Sequence, residues 1–316
     1  MAAMTRHRSA SAARLVPILL ATVLLTACGA DVTPSTGPSD GASAPLPIAS
    51  ADNPSVLPSS ATPVIPTAAA PPSAPPPPYV ACAGRAASGS GTATRDASRA
   101  WSGYLVTKPG GRVTCIEGTW VEPVVVCPQK GQPKMSIWVG IDGVKSTSLG
   151  IDALEPLIQI GTQVDCDSGV ATHFGWHEVY PADPHVLAFN SPVSAGDRMR
   201  AQVAFRSGSF VLTLLNLTTG TQDTIVQRAA GASRVTAEWT VEAPSVGCPD
   251  ACKPSDLPDF DPIRVTNARV TIDGRLGRIR GPWTWDATDM VRDRQTIATT
   301  GDLFSTGDSF RVTRSP

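Results

Sequence analysis

From Trp101 to the C-terminus, apolar and polar residues alternate in short runs broken by Gly, Pro, Asp and Asn. Residues 136–141, 198–205, 210–217, 235–241, 269–272 and 310–313 each show this period of two, the mark of half-buried strands. No segment sustains the i, i+3, i+4 apolar spacing of an amphipathic helix. Many short strands separated by turn residues predict an all-β fold, an antiparallel sandwich or barrel.

The alternation also says where particular side chains point. In residues 235–241, Val235, Ala237, Trp239 and Val241 share one face, and Thr236, Glu238 and Thr240 share the other. Glu238 is thereby turned away from the apolar side, into solvent or a cleft. Glutamate is disfavoured inside strands, so it either discourages edge pairing or serves a purpose. In residues 156–160, Ile158 and Ile160 lie opposite Leu157 and Gln159, so the Gln159 amide can face the same cleft as Glu238.

Composition restricts the folded part of the chain. Fourteen of the 30 prolines fall between Pro34 and Pro78, whereas all seven Trp and all seven Phe lie at or beyond Trp101. Residues 31–78 contain no Lys, Arg or aromatic side chain, and nothing there offsets the entropy of ordering. Proline at this density favours an extended, stiffened tether.

The N-terminus reads as a targeting signal. Arg6, His7, Arg8 and Arg14 precede an apolar run from Leu15 to Ala27, interrupted by Pro17 and too short for a bilayer that needs about 20 apolar residues. The run ends in Leu25-Thr26-Ala27-Cys28-Gly29, which resembles the bacterial lipobox. That resemblance implies a diacylglycerol on Cys28, which would anchor an exported protein to the outer face of the cell membrane. The expected organisation is a lipoprotein signal peptide over 1–27, a lipidated cysteine and disordered tether over 28–96, and a β-sandwich domain over 97–316. A net charge of −1 gives no general attraction to nucleic acid, and a monomer is expected.

With Cys28 assigned to lipid, Cys82, Cys115, Cys127, Cys166, Cys248 and Cys252 remain. An even number in an exported chain favours disulfides, although six cysteines permit 15 connectivities and sequence does not choose among them. The expected set is Cys127–Cys166, which brackets the richest stretch of the chain, the closely spaced Cys248–Cys252, and by elimination Cys82–Cys115. Cys248 and Cys252 lack a second ligand pair suited to zinc. His173, His177 and His185 lack the helical pattern of a zincin. No metal and no cofactor is expected.

Six strings carry a more specific resemblance. They are Trp101-Ser102-Gly103-Tyr104, Gly118-Thr119-Trp120-Val121-Glu122-Pro123, Ile137-Trp138-Val139-Gly140-Ile141-Asp142-Gly143, Leu157-Ile158-Gln159-Ile160-Gly161, Glu178-Val179-Tyr180-Pro181 and Ala237-Glu238-Trp239-Thr240-Val241-Glu242. In this order and spacing the chain resembles the eqolisins, the glutamic endopeptidases, from about Trp101 to Thr313. The resemblance implies a concanavalin-like sandwich of two large antiparallel sheets, with a catalytic glutamine and glutamate on facing strands of one sheet. The matching positions are Gln159 and Glu238. It further implies a substrate wall at Trp138, a supporting carboxylate at Asp142, and cleft residues at Glu178 and Trp101. Core packing is the competing reading of Trp138. Where the family has aromatic residues on either side of the cleft glutamate, this chain has His177 and Val179, which puts subsite preference in question.

The chemistry suits a metal-free hydrolase. A carboxylate can take a proton from attacking water and return it to the departing amine, while a primary amide offers two N–H donors to the oxyanion. The resemblance implies a protein or peptide substrate, cleaved at acidic pH. The alternative from another class is a catalytically silent sandwich that binds peptide or carbohydrate at the cell envelope, since fold does not fix function.

Overall fold

The structure is a computed structural model, and it describes residues 78–144, 156–181, 187–247 and 252–315. Cys28, the signal segment and the proline-rich stretch lie outside the described residues. Every regular element described is a strand.

The chain enters through β1 (Arg85–Ala86), β2 (Ala93–Ser98), β3 (Trp101–Thr107) and β4 (Val113–Val121). Then come β5 (Val125–Val126), β6 (Lys134–Ile141), β7 (Leu157–Asp167), β8 (Val170–Tyr180) and β9 (Leu187–Pro192). The middle of the chain forms β10 (Arg198–Arg206), β11 (Ser209–Asn216), β12 (Thr221–Gln227) and β13 (Thr236–Glu242). Three two-residue strands follow, β14 (Ser245–Val246), β15 (Lys253–Pro254) and β16 (Asp259–Phe260). The last five are β17 (Ile263–Ile272), β18 (Arg275–Arg278), β19 (Thr284–Arg292), β20 (Gln295–Thr300) and β21 (Phe310–Arg314).

Two large, mostly antiparallel sheets result. The front sheet runs β9-β8-β7-β6-β13-β3-β19, with β2 joining β19 in parallel. The back sheet runs β12-β11-β10-β4-β17-β18, closed by parallel β1. β17 belongs to both: Ile263 to Val265 pair with β21 of the front sheet, and Thr266 to Ile272 with β4 of the back. The family-like sandwich expected from the sequence is the observed fold.

Period-two patterning builds the core between the sheets. Met135, Ile137, Val139 and Ile141 of β6, Ile158 and Ile160 of β7, and Ala237, Trp239 and Val241 of β13 meet Ile116, Trp120, Val203 and Leu212 from the back sheet. The Trp239 indole crosses between the sheets and donates to the Glu117 carbonyl at 2.8 Å, so its polar edge is satisfied while its ring fills the core.

The folded part begins earlier than residue 97. Residues from Tyr79 to Ala87 are tied to the back sheet by the Cys82–Cys115 disulfide, by β1, and by the Glu117 carboxylate, which accepts from Tyr79 Oη at 2.6 Å and from the Cys82 amide at 3.0 Å. Composition hid the strand β1 in particular, because its partner β18 lies more than 100 residues away. Cys127–Cys166 is also formed. Cys252 is disulfide-bonded, and Cys248 lies outside the described residues.

Candidate active site

The candidate residues of the front sheet converge on one row. Glu178 of β8 is opposite Gln159 of β7, Gln159 is opposite Gly140 of β6, and Gly140 is opposite Glu238 of β13. The same row continues through Leu105 of β3 to Asp286 of β19. Side chains of directly paired residues project from the same face, so all of these lie on the side of the sheet that faces away from the core. Gln159 and Glu238 lie on two strands of one sheet with β6 between them. They flank Gly140, which places their Cα atoms about 10 Å apart at the usual strand spacing.

Gly140 matters for what it lacks. A Cβ there would meet Trp138 Cζ3 at 2.9 Å and Leu157 Cδ1 at 3.0 Å. The ring edge of Trp138 and the Leu157 methyl thus occupy the space between the two candidate catalytic side chains. Trp138 is fully buried, yet it packs with Leu157, Trp176, Trp101 and Phe174 in a cluster separate from the main core. The two readings of Trp138 merge: it is packed, but on the outer face of the sheet, beside the pair.

Each polar group of the row has a distinct environment. Gln159 Nε2 donates to Glu178 Oε2 at 2.5 Å; because a carboxylate only accepts, this contact fixes the amide's orientation with one N–H committed. Gln159 Oε1 is buried without a partner. Glu238 is 1% exposed, and neither of its carboxylate oxygens is hydrogen-bonded. It does point away from the apolar face, as the alternation predicts, but into the protein's interior and not into bulk solvent. Burial lifts its pKa well above the ordinary glutamate range; the Thr236 hydroxyl on the same face opposes this weakly, without reaching hydrogen-bond geometry, and the Asp142 charge adds to it.

Asp142 has a separate task. It follows β6 in a left-handed conformation at φ 65°, which Asp tolerates better than most residues. Its carboxylate accepts from the Arg234 and Val235 amides, both at 2.6 Å, while its own amide donates to the Thr236 carbonyl. These bonds hold the start of β13 against the end of β6, two residues before Glu238.

Beside Glu238 opens a cleft of about 420 Å³, lined, among the described residues, by Trp101, Leu105, Thr240, Glu242, Asp286, Asp96 and others, none of these described lining residues being Lys, Arg or His. Asp286 is 1% exposed and accepts from Thr94 Oγ1 at 2.6 Å and Thr288 Oγ1 at 3.0 Å. Burial raises its pKa, and the two hydroxyls partly offset this. Glu242, four residues along the same face of β13 from Glu238, also has its pKa raised by burial, with the Trp101 and Trp138 indoles favouring its charged form.

Sequence reasoning missed Asp286, Glu242 and Gly140 as parts of this site. The alternation that selected Glu238 selects Glu242 as well. No local signal marks Asp286, whose place depends on the register of β19. The expected effect of His177 and Val179 on the cleft is corrected: both flank Glu178 in a strand, so they point to the opposite face. Val179 belongs to the main core, and His177 is buried against the Phe189 ring at 5.1 Å. His173 pairs with the buried Glu122 at 3.0 Å, and His185 lies outside the described residues. Among the described residues, no group of three or more His, Cys, Asp or Glu is placed to hold a metal ion.

Comparison with known proteins agrees with this fold. The chain is similar to scytalido-glutamic peptidase solved with a transition-state analogue inhibitor (20% identity, 69% of this chain and 99% of the other, TM-score 0.57). It is likewise similar to SCP-B, an eqolisin solved with the tripeptide Ala-Ile-His (19% identity, 69% and 99% coverage, TM-score 0.55). At this identity the two structures speak for the fold. No curated protein sequence matches the chain. The model of the peptidase A4 family matches residues 99–313, more than half of the chain, and every strand of the row from Glu178 to Asp286 lies inside that span. The chain therefore belongs to the peptidase A4 family and is a glutamic-type endopeptidase.

Proposed function

We propose that Glu238 is the general base and acid of peptide-bond hydrolysis and that Gln159 stabilises the oxyanion, in an exported protein held to the membrane by lipid on Cys28. The observation that carries the catalytic reading is the shared row: a buried carboxylate without hydrogen bonds stands across Gly140 from an amide that Glu178 holds in one orientation. A water bound beside the Trp138 edge, in the cleft that Glu238 lines, would be within reach of the Glu238 carboxylate. Glu238 takes the water's proton as the oxygen attacks the scissile carbonyl, and the second N–H of Gln159 meets the developing negative charge. Glu238 then returns the proton to the leaving amine. Burial raises the affinity of Glu238 for a proton, which makes it a stronger base once ionised. Asp142 and Glu178 position the pair; Trp101 and Trp138 form the wall on the Glu242 side.

The test is cleavage of a denatured protein by the purified protein across pH 2–8. The family resemblance implies greatest activity under acidic conditions, while the raised pKa of Glu238 places the acid-side fall in activity above the ordinary glutamate range. EDTA should leave activity unchanged, since the mechanism uses only an amide and a carboxyl. Complete loss with EDTA, reversed by zinc, would refute it, and an inactive folded protein that still binds peptide would support a silent binding module.

Anchoring has its own test. Cells expressing the protein should carry it in the detergent phase of a detergent partition, and Cys28→Ser should remove it from that phase. An unchanged partition and unchanged processing would refute the lipid.

A further inference from the structure

Glu242 sits at a junction that the pair's chemistry does not by itself explain. Its Oε2 accepts from Trp138 Nε1 at 2.7 Å. The Trp101 ring meets the Trp138 ring edge-on, with centroids 5.2 Å apart and planes at 83°, and Trp101 is directly opposite Glu242 in the register of β3 with β13. The far edge of the same Trp138 indole, at Cζ3 and Cε3, lies over Gly140. One ring thus spans from the carboxylate of Glu242 to the space between Gln159 and Glu238.

We propose that Glu242 is a positioning residue of this peptidase, acting through Trp138: its carboxylate oxygen sets the rotation of the indole, and the indole's other edge sets the space in which Gln159 and Glu238 meet the scissile bond. The inference rests on the reading of Gln159 and Glu238 as the catalytic pair.

The physical argument is one of fixed orientation. An indole in an apolar cluster of Trp, Leu and Phe has little directional preference from packing alone, whereas its single N–H does. Among the described residues, the partner of that N–H is the Glu242 carboxylate. If the acceptor is lost, a buried donor is left unsatisfied, and the ring gains by turning toward another partner. Any turn about the Cβ–Cγ bond sweeps the Cζ3 edge across Gly140, where residue 140 has no side chain to limit it and the Leu157 methyl is the neighbour that must move. The absence of a side chain at Gly140 therefore makes the site depend on a hydrogen bond formed on the far side of the ring. Misplacement by about 1 Å at a reacting centre can lower a rate by about 10²-fold.

The experiment uses the full chain with Glu242→Ala, Glu242→Gln, Trp138→Phe and the double variant Glu242→Ala/Trp138→Phe. Cleavage rates are combined with tryptophan-indole ¹⁵N–¹H spectra and circular dichroism. Glu242→Ala should lower kcat about 10- to 100-fold with KM changed less than about threefold, because orientation and not ground-state contact is lost. Glu242→Gln keeps an acceptor oxygen in place and should restore most of the rate together with the native Trp138 indole signal. Trp138→Phe removes the N–H and should match Glu242→Ala, and the double variant should be no slower than either, because the two groups act as one unit.

A folded Glu242→Ala protein with wild-type kcat overturns the inference, as does a Glu242→Gln protein that keeps the native indole signal yet is as slow as Glu242→Ala. Should Glu242→Ala fail to fold, Trp138→Phe decides: wild-type kcat in that variant is equally fatal. Glu238→Gln, run in parallel, separates the two levels. If it is inactive while Glu242→Ala is unaffected, only this inference fails. If it is as active as wild type, the catalytic reading fails, and an indole signal unmoved by Glu242→Ala would then show that Glu242 does not set the ring.

Discussion

Glu238→Gln should abolish turnover while the fold persists. Glutamine is nearly isosteric with glutamate but cannot accept the proton of an attacking water, and loss of general acid–base assistance alone lowers rates by about 10²–10⁴-fold. Gln159→Ala removes the oxyanion donor and should lower kcat by about 10²–10³-fold. The double variant should be far less than multiplicatively slower, because the residual rate no longer depends on a coordinated pair. Rates on an unfolded protein substrate at acidic pH, with folding checked by circular dichroism, measure all three. A folded Glu238→Gln enzyme at wild-type speed would eliminate the mechanism.

The same variant should be more stable than wild type at neutral pH. Burial lifts the Glu238 pKa above its ordinary value, so once pH exceeds the unfolded-state value the native chain retains a proton that the unfolded chain has released. The stability linked to this group then falls as pH rises, until the folded-state pKa is passed. Glutamine does not ionise and escapes the loss. The melting temperatures of Glu238→Gln and wild type should therefore converge below about pH 4, where glutamate is protonated in both states, and separate in favour of the variant as pH rises. The activity of this site would thus be bought with stability at neutral pH.

The second large effect belongs to Asp142. It is fully buried and is the acceptor for two backbone amides at the entry to β13. Hydrogen bonds to a charged group contribute about 1.5–3 kcal/mol each, so Asp142→Ala should destabilise the protein by about 3–6 kcal/mol. Asp142→Asn keeps one acceptor oxygen and tolerates the left-handed backbone, and its loss should be smaller. Denaturant unfolding at fixed pH gives both values. The Asn variant also removes a negative charge that raises the Glu238 pKa, so the acid limb of its pH–rate profile should move to lower pH. A profile that stays in place while stability drops would limit Asp142 to holding the strand.

The sequence by itself determined the strands and the faces of their side chains. Alternation depends only on the two-residue period of an extended chain, so the outward direction of Glu238 and of Gln159 could be read from four or five neighbours each. The family likeness was equally legible, because it resides in short contiguous strings. Burial could not be read in the same way. The sequence allowed Glu238 a solvent-facing role, yet the structure leaves it 1% exposed, since what covers a strand's outer face comes from elsewhere in the chain. Register was the other hidden quantity. That Gln159, Gly140 and Glu238 share one row, that Asp286 joins it from β19, and that residues from Tyr79 onward are tied to the back sheet all depend on pairings between distant segments. A shift of one residue in any of those pairings would turn its side chains to the other face, and only the packed core between the two sheets selects the register that brings the site together.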